Sequence, residues 1–275
     1  RGLGDVYKRQ MIYRIRELVR KVEEKGRDFR LRLENEFKDA IELGKNSVEE
    51  GALSIVQGPP GTGKTTVFEG VLKTELDSDN IEEDSVFLYV APTNELVAQF
   101  FTRVYGVLSG LGYRKKEIKK MVRVYGSKFD YTEFDDLRKP IDENVVLVIS
   151  TEYQRSRAEF SEIHLLIDEA SRSVIHRPFI TMARTLIEKI EREERLGGSI
   201  NVIGDPLQAI TLEERYRRRR KIRLAMEIAL NNLLEERGVS ATNDPVELMD
   251  LAYKNLKGEY YELLKSTFRL PHPTE

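Results

Sequence analysis

The chain has 275 residues, 40% of them hydrophobic, with a net charge of −2 at pH 7 and no cysteine. This length allows one large domain or two modest ones, while the lack of cysteine excludes disulfide bonds and thiolate metal sites. No apolar run approaches the roughly 18 residues that a membrane helix needs, and no secretory leader is visible, so we expect a cytoplasmic protein with no membrane partner.

The N-terminal part divides into two stretches. Residues 1–10 resemble the translation of a sequencing-library adaptor, so we exclude them from the fold as a non-native leader. From Ile12 the apolar positions recur at helical spacing among charged residues, which predicts a helical segment over residues 11–50. This segment is either a solvated helical surface or a stalk that carries an accessory domain.

A glycine-rich loop follows the first short apolar run, Leu53 to Val56. The run predicts a buried strand and a helix can begin at Lys64, so the loop has the strand–loop–helix context of a phosphate-binding loop. Its glycines let backbone N–H groups face a polyanion, together with the positive end of the following helix. Lys64 can reach the β- and γ-phosphates of a nucleotide, and the Thr65 hydroxyl can bind Mg²⁺. The predicted nucleotide-binding residues of this loop are Gly58, Pro59, Pro60, Gly61, Thr62, Gly63, Lys64, Thr65 and Thr66.

Four further short apolar runs alternate with helical stretches, at residues 86–90, 145–149, 163–167 and 200–203. Short strands of this kind predict an α/β fold: a parallel sheet with helices on both faces. Each run ends in an unusual polar cluster. Because the carboxyl ends of parallel strands lie at one edge of the sheet, where ligands bind, we expect these clusters to meet.

Two of the clusters carry the chemistry that a bound triphosphate needs. Asp168 follows a strand, as in a Walker B element, and can hold Mg²⁺, while Glu169 can orient and deprotonate the attacking water. Paired acids after a strand are often structural, and the phosphate loop upstream favours the catalytic interpretation. Gln208 follows the fifth run and can contact the γ-phosphate, although polar residues on a turn are often only turn residues.

Two charged stretches lie beside these elements. Residues 113–140 are polar and irregular in pattern, and residues 211–265 are expected to form a helical extension. The basic run 217–221 is either an exposed helical turn, which we favour, or a nucleic-acid patch. The basic positions of the first stretch are Arg114, Lys115, Lys116, Lys119, Lys120 and Arg123.

The polar clusters at residues 58–65, 91–94, 168–171 and 204–208 resemble helicase motifs I, Ia, II and III in their usual order. Their residues are similar to those of superfamily 1 helicases of the Upf-like and senataxin-like branch, and residues 266–273 resemble that branch's motif IV. The resemblance implies a RecA-like fold and an ATP-driven motor that uses ATP and Mg²⁺ to move along single-stranded RNA or DNA. The first RecA-like motor domain would cover residues 51–210, and residues 266–275 would begin a second RecA-like domain that is otherwise missing.

The resemblance also assigns roles to individual residues. Phe268 would stack on the nucleotide base, and Arg269 would act as an arginine finger beside Lys64, Asp168, Glu169 and Gln208. The stretch at about 113–140 would be an insertion in the first motor domain that lies beside the nucleic-acid strand. There its basic residues, with Tyr113 and Tyr125, could add contacts, or the stretch would be a solvated loop. The residues that would grip the strand are Pro92, Thr93, Asn94, Ser150 and Thr151.

Several positions depart from the family pattern, and one alternative function stays open. Phe37 stands where the family usually has a glutamine that reads adenine, and phenylalanine cannot hydrogen-bond a purine edge, so a strict preference for ATP does not follow from the resemblance. The alternative to a motor is an NTP-gated switch that binds nucleic acid or a partner without unwinding. A GTPase lacks support because the chain has no guanine-reading signature.

Overall fold

The computed structural model describes residues 37–59, 61–77, 85–126, 129, 132, 134–151, 160, 162–170, 198–205 and 225–264. Within this part of the chain, seven strands form a single sheet. The expected N-terminal segment is described only from residue 37. None of the helices in the described ranges is both long and apolar enough to cross a membrane.

The strands and helices alternate along most of the chain. The strands are β1 Leu53–Gln57, β2 Ser85–Ala91, β3 Val122–Tyr125, β4 Leu147–Thr151, β5 Glu162–Ile167, β6 Gly198–Gly204 and β7 Tyr261–Leu263. The helices are α1 at residues 37–50, α2 Lys64–Asp77, α3 Asn94–Gly110, α4 Lys115–Met121, α5 Ala225–Glu236 and α6 Pro245–Leu256, with a 3₁₀ turn at Asp135–Arg138.

All neighbouring strands pair in parallel, in the order β3-β4-β2-β5-β6-β1-β7. The carboxyl ends of all seven strands therefore lie at one edge of the sheet. Strand β6 separates β1, which leads into the phosphate loop, from β5, which leads into the acidic pair. The predicted α/β fold, a parallel sheet with helices on both faces, is confirmed.

Both faces of the sheet are buried, because successive side chains of a strand point to opposite sides. On β2, Phe87 and Tyr89 belong to an apolar core shared with α1, α2, α3 and α4. Val86, Leu88 and Val90 belong to a second core, shared with α5 and α6. Each large side chain buried in this way contributes roughly 1.5–3 kcal/mol. The two cores hold the strand ends in place.

Two edge strands were not expected from the sequence. Strand β3 lies within residues 113–140 and pairs with β4, so part of this stretch belongs to the sheet. Strand β7 lies within residues 211–265 and pairs with β1. Both are short, four and three residues long, and Arg123 interrupts the apolar pattern of β3. Neither strand therefore has the apolar run that marks a central strand. The domain boundaries themselves stay predictions.

Candidate active site

The glycine-rich loop between β1 and α2 is tied to the neighbouring strand. The Gly58 N–H donates to the carbonyl of Gly204, at the end of β6, over 3.0 Å. Gly61 and Gly63 have φ angles of 84° and 76°, in the left-handed region that favours glycine. A Cβ on Gly58 would lie 2.5 Å from Thr62 Oγ1 and 3.0 Å from Lys64 Cγ. The loop is thus a tight cradle that a side chain at Gly58 would fill.

Lys64, the first residue of α2, holds a positive charge at the centre of this loop. Its side chain is only 7% exposed, and its Nζ lies 3.5 Å from the Pro59 carbonyl oxygen and 3.6 Å from Glu169 Oε1. The ion pair joins the phosphate loop to the acidic pair, although the two are 105 residues apart in the chain. Lys64 and Glu169 are therefore brought together as the sequence predicts.

Asp168 is almost fully buried at the end of β5, and three groups donate to its carboxylate. Oδ2 accepts hydrogen bonds from the Tyr89 hydroxyl, at 2.7 Å, and from the Thr65 hydroxyl, at 3.1 Å. Oδ1 accepts from the Glu169 N–H at 2.8 Å. The predicted magnesium ligands Thr65 and Asp168 are thus in direct contact, and Tyr89 fixes the orientation of the carboxylate.

Burial and hydrogen bonding act in opposite directions on the pKa values of this cluster. Burial raises the pKa of Asp168, and this is the largest effect, so the net pKa is raised. The opposing effects, which lower the pKa, come from the hydrogen bonds donated by Tyr89, Glu169 N–H and Thr65 and from the Lys64 cation. Burial, followed by the Asp168 carboxylate, raises the pKa of Tyr89 well above 10. The Tyr89 hydroxyl is therefore protonated at neutral pH and acts as the donor.

Glu169 adopts an unusual backbone conformation. Its φ is +49°, a left-handed value that is uncommon outside glycine and carries strain. On either side of it, the Asp168 N–H donates to the Val90 carbonyl and the Ala170 N–H to the Ile203 carbonyl. The turn is thus anchored to β2 and β6, and these anchors hold the Glu169 carboxylate beside Lys64.

The donor set of the cluster fits a magnesium ion bound with a nucleotide. Mg²⁺ prefers oxygen ligands and is usually held by one or two carboxylates together with phosphate oxygens and water. Asp168 and Thr65 supply a carboxylate and a hydroxyl 3.1 Å apart. The glycine cradle and Lys64 supply the complementary site for phosphates. The residues present therefore fit both groups.

The residues predicted to bind the nucleic-acid strand also lie at the carboxyl ends of the β-strands, as the phosphate loop and the acidic pair do. Pro92, Thr93 and Asn94 follow β2, whereas Ser150 and Thr151 end the neighbouring strand β4, with Ala91 paired to Thr151. The Thr93 hydroxyl caps helix α3 by accepting from the Leu96 N–H at 3.4 Å. Ser150 and Thr151 are buried, while the three residues after β2 are half-buried. Their contact with nucleic acid stays a prediction.

Some predicted residues lie outside the described part of the chain. They are Pro60, Gln208, Phe268 and Arg269. Phe37, at the position expected to read adenine, is described: it lies in α1 and packs against the core formed with α2 and α3.

The residue that the sequence analysis missed is Tyr89. It lies in the middle of an apolar strand, fully buried, with its ring stacked on Phe100 at 3.7 Å between centroids. A tyrosine within an apolar run is normally interpreted as a core residue, so the sequence does not point to a role in the site. Only the pairing of β2 with β5 brings its hydroxyl to Asp168.

Part of the chain is similar to a known protein family. Residues 32–145 match the model of a family described as AAA domain. This match confirms the predicted resemblance to a superfamily 1 helicase motor domain, and it supports a helicase-like NTPase motor. It does not test the assignment to the Upf-like and senataxin-like branch.

One solved structure that resembles the chain is the complex of arterivirus nonstructural protein 10, a helicase, with DNA. The two share 18% sequence identity with a TM-score of 0.31, and the similarity covers 62% of this chain and 32% of the viral chain. The match thus spans about a third of that helicase. No curated protein matches the chain.

Proposed function

We propose that the chain forms the first motor domain of an ATP-driven translocase that moves along single-stranded nucleic acid. The observation that carries this proposal is the convergence of the phosphate loop and the acidic pair. Lys64 lies 3.6 Å from Glu169, and Thr65 lies 3.1 Å from Asp168, where β1 and β5 end. A phosphate-binding cation, a metal-binding pair and a base thus share one small volume.

The ion pair between Lys64 and Glu169 defines how the site would respond to a nucleotide. A triphosphate in the loop would attract the Lys64 ammonium, because phosphate oxygens carry more negative charge than one carboxylate. Glu169 would then lose its cationic partner and could accept a proton from the attacking water. Asp168 and Thr65 would hold the Mg²⁺, which supplies neutralisation of the phosphate charge when bound.

Strand β2 offers a direct connection between the nucleotide and a bound strand. Tyr89 donates to Asp168, and the Val90 carbonyl accepts from the Asp168 N–H. Two residues after Val90, just beyond the end of β2, the chain reaches Pro92 and Thr93, which are proposed to contact the nucleic acid. A shift of the acidic pair upon hydrolysis would therefore be transmitted along β2 to this grip. Contacts to phosphates and sugars alone would accept both RNA and DNA.

The test is ATP turnover by the protein that carries both motor domains, with and without single-stranded RNA or DNA. We expect the strand to stimulate turnover and a partial duplex to be separated. Lys64→Ala should weaken ATP binding about a hundredfold or more, because it removes a buried charged partner of the phosphates. Glu169→Gln should bind ATP normally but not hydrolyse it. Lys73→Ala, an exposed lysine on the same helix, is the matched control.

Two outcomes would contradict the motor. Retention of the strand in the presence of ATP, without strand-stimulated turnover or displacement, would favour the NTP-gated switch. Equal loss of nucleotide binding in Lys64→Ala and Glu169→Gln would show that the two residues do not have the separate roles proposed.

A further inference from the structure

A second polar site lies near β3, away from the phosphate loop. It is a cavity of about 530 Å³, and five of its lining residues are cationic. They are Lys116, Lys119, Lys120, Arg123 and Lys139. Two carboxylates, Asp136 and Asp142, also line it, so positive charge is in excess.

The cavity lies at the amino ends of the strands, whereas the candidate active site lies at their carboxyl ends. Lys116, Lys119 and Lys120 are on α4, which leads directly into β3. Asp142 precedes β4, whose N-terminal neighbour Val146 donates to the Met121 carbonyl. The cavity is thus at the amino ends of β3 and β4, whereas the nucleotide and the proposed strand grip are at the carboxyl ends. The strand contacts expected for the basic residues of 113–140 would lie beside the predicted grip, so they do not account for a cavity at this end of the sheet.

The two carboxylates and the arginine form ion pairs and hydrogen bonds that hold the lining of the cavity in place. Asp136 lies 3.6 Å from Lys119 Nζ and 2.5 Å from Lys139 Nζ. Arg123, only 3% exposed, lies 2.6 Å from Asp142 and donates to the carbonyls of Lys119, Lys120, Val122 and Pro140. Its guanidinium is therefore occupied by the protein itself and holds the C-terminal end of α4 against the loop before β4.

Lys116 and Lys120 remain as the available cations. They lie one helical turn apart on α4, and both are exposed. Neither makes a salt bridge with a residue that the structure describes. The pocket is thus preformed by buried and paired groups, and one wall presents two ammonium groups that form no salt bridge within the described ranges.

We propose that this pocket binds phosphate groups at a site separate from the motor's nucleotide. Ammonium groups act as compact charges with three donors each, which suits a phosphate with several anionic oxygens. A polynucleotide backbone and a small phosphorylated molecule both present such phosphates, and the experiment below distinguishes the two sources. This inference goes beyond the proposed motor and does not depend on ATP binding.

The test uses the 275-residue chain without added nucleotide. A fluorescent single strand of about 20 nucleotides is titrated at salt concentrations from about 50 to about 200 mM. For Lys116→Gln/Lys120→Gln we expect about tenfold weaker binding, and a salt slope smaller by about 1.4, since each contact to a single strand contributes about 0.7. The matched control is Lys73→Gln/Lys254→Gln, two exposed lysines on α2 and α6, which should change affinity less than about twofold.

A second measurement on the unsubstituted chain identifies the source of the phosphate. Lysine acetylation is mapped by mass spectrometry in the presence of the oligonucleotide, pyrophosphate or poly-glutamate. Protection of Lys116 and Lys120 by the oligonucleotide supports a polynucleotide, and protection by pyrophosphate alone supports a small ligand. Protection by poly-glutamate to the same degree would overturn the assignment to phosphate. No protection by any of the three would overturn the site itself. Equal weakening in both lysine pairs would overturn a polynucleotide as its ligand.

Discussion

At the scale of single residues, Asp168 is the group on which the candidate active site depends. A buried carboxylate with a raised pKa resists ionisation, yet Mg²⁺ binding needs the charged form. Its three hydrogen-bond donors and the nearby Lys64 favour that charged form. Each donor to a buried charge contributes on the order of 1.5–3 kcal/mol, so losing one should have a measurable effect.

Tyr89→Phe isolates one of these donors. The substitution removes the hydroxyl that donates to Asp168 Oδ2 and keeps the ring that stacks on Phe100. If Tyr89 positions Asp168, we expect ATP binding in the presence of Mg²⁺ to weaken about tenfold, while Mg²⁺-free binding changes less than about twofold. Titration calorimetry with and without Mg²⁺ measures the difference.

Tyr105→Phe serves as the comparison for that experiment, because Tyr105 packs on α3 against Phe101 and Phe134, away from Asp168. It should leave both affinities unchanged. A Tyr89→Phe protein that loses affinity equally with and without Mg²⁺ would show that the hydroxyl supports the fold and not the metal-binding carboxylate.

At the scale of one element, strand β5 contains a histidine whose charge state matters for stability. His164 is buried between β2 and β6, beside Phe87, with Nδ1 3.1 Å from Ser199 Oγ. Burial lowers its pKa to about 4. Glu162 lies 3.9 Å from Nε2, but with this pKa the imidazole is neutral at pH 7, so the two do not form an ion pair there.

This buried histidine makes the stability of the sheet depend on pH. The unfolded chain binds a proton at His164 near pH 6.5, whereas the folded chain does so only near pH 4, so stability falls as the pH decreases between these values. From pH 7 to pH 5 the loss from this one group should be about 2 kcal/mol.

Urea unfolding at several pH values tests the histidine prediction. His164→Gln retains a polar side chain beside Ser199 but cannot become charged, so its loss of stability between pH 7 and pH 5 should be smaller by that amount. Identical pH profiles for the two proteins would mean that another group is responsible.

At the scale of the whole molecule, the candidate site is one half of a proposed composite site. The phosphate loop and the acidic pair come from the described sheet, while Phe268 and Arg269 would belong to a second motor domain. An arginine finger contributes about 10³ to 10⁵ in kcat in other phosphoryl-transfer enzymes. Arg269→Ala in a protein with both motor domains should therefore lower the rate of ATP turnover about a thousandfold or more, while ATP binding changes little.

Steady-state ATP hydrolysis, with and without a single strand, measures this difference directly. Nucleotide binding to the Arg269→Ala protein, measured in parallel, confirms that the site itself is formed. Equal rates of strand-stimulated hydrolysis by the Arg269→Ala and unsubstituted proteins would show that Arg269 is not the arginine finger.

The amino-acid sequence by itself determined the phosphate loop, the acidic pair and the parallel α/β sheet. These features are local: glycine spacing, a short apolar run and the charged residues that follow it are all visible within a few positions. The predicted runs at residues 145–149 and 163–167 correspond to β4 and β5 for the same reason, since a strand buried on both faces is almost entirely apolar.

Tertiary structure alone decided which distant residues meet. Strands β3 and β7 are edge strands of three or four residues, and their pairing stabilises them more than their own sequence does. The contact between Tyr89 and Asp168 exists only because β2 pairs with β5. The cationic pocket likewise forms because Arg123 donates hydrogen bonds both to the C-terminal end of α4 and to the loop before β4. Such contacts depend on strand order and register, which are set by packing across the whole sheet and not by neighbours in the chain.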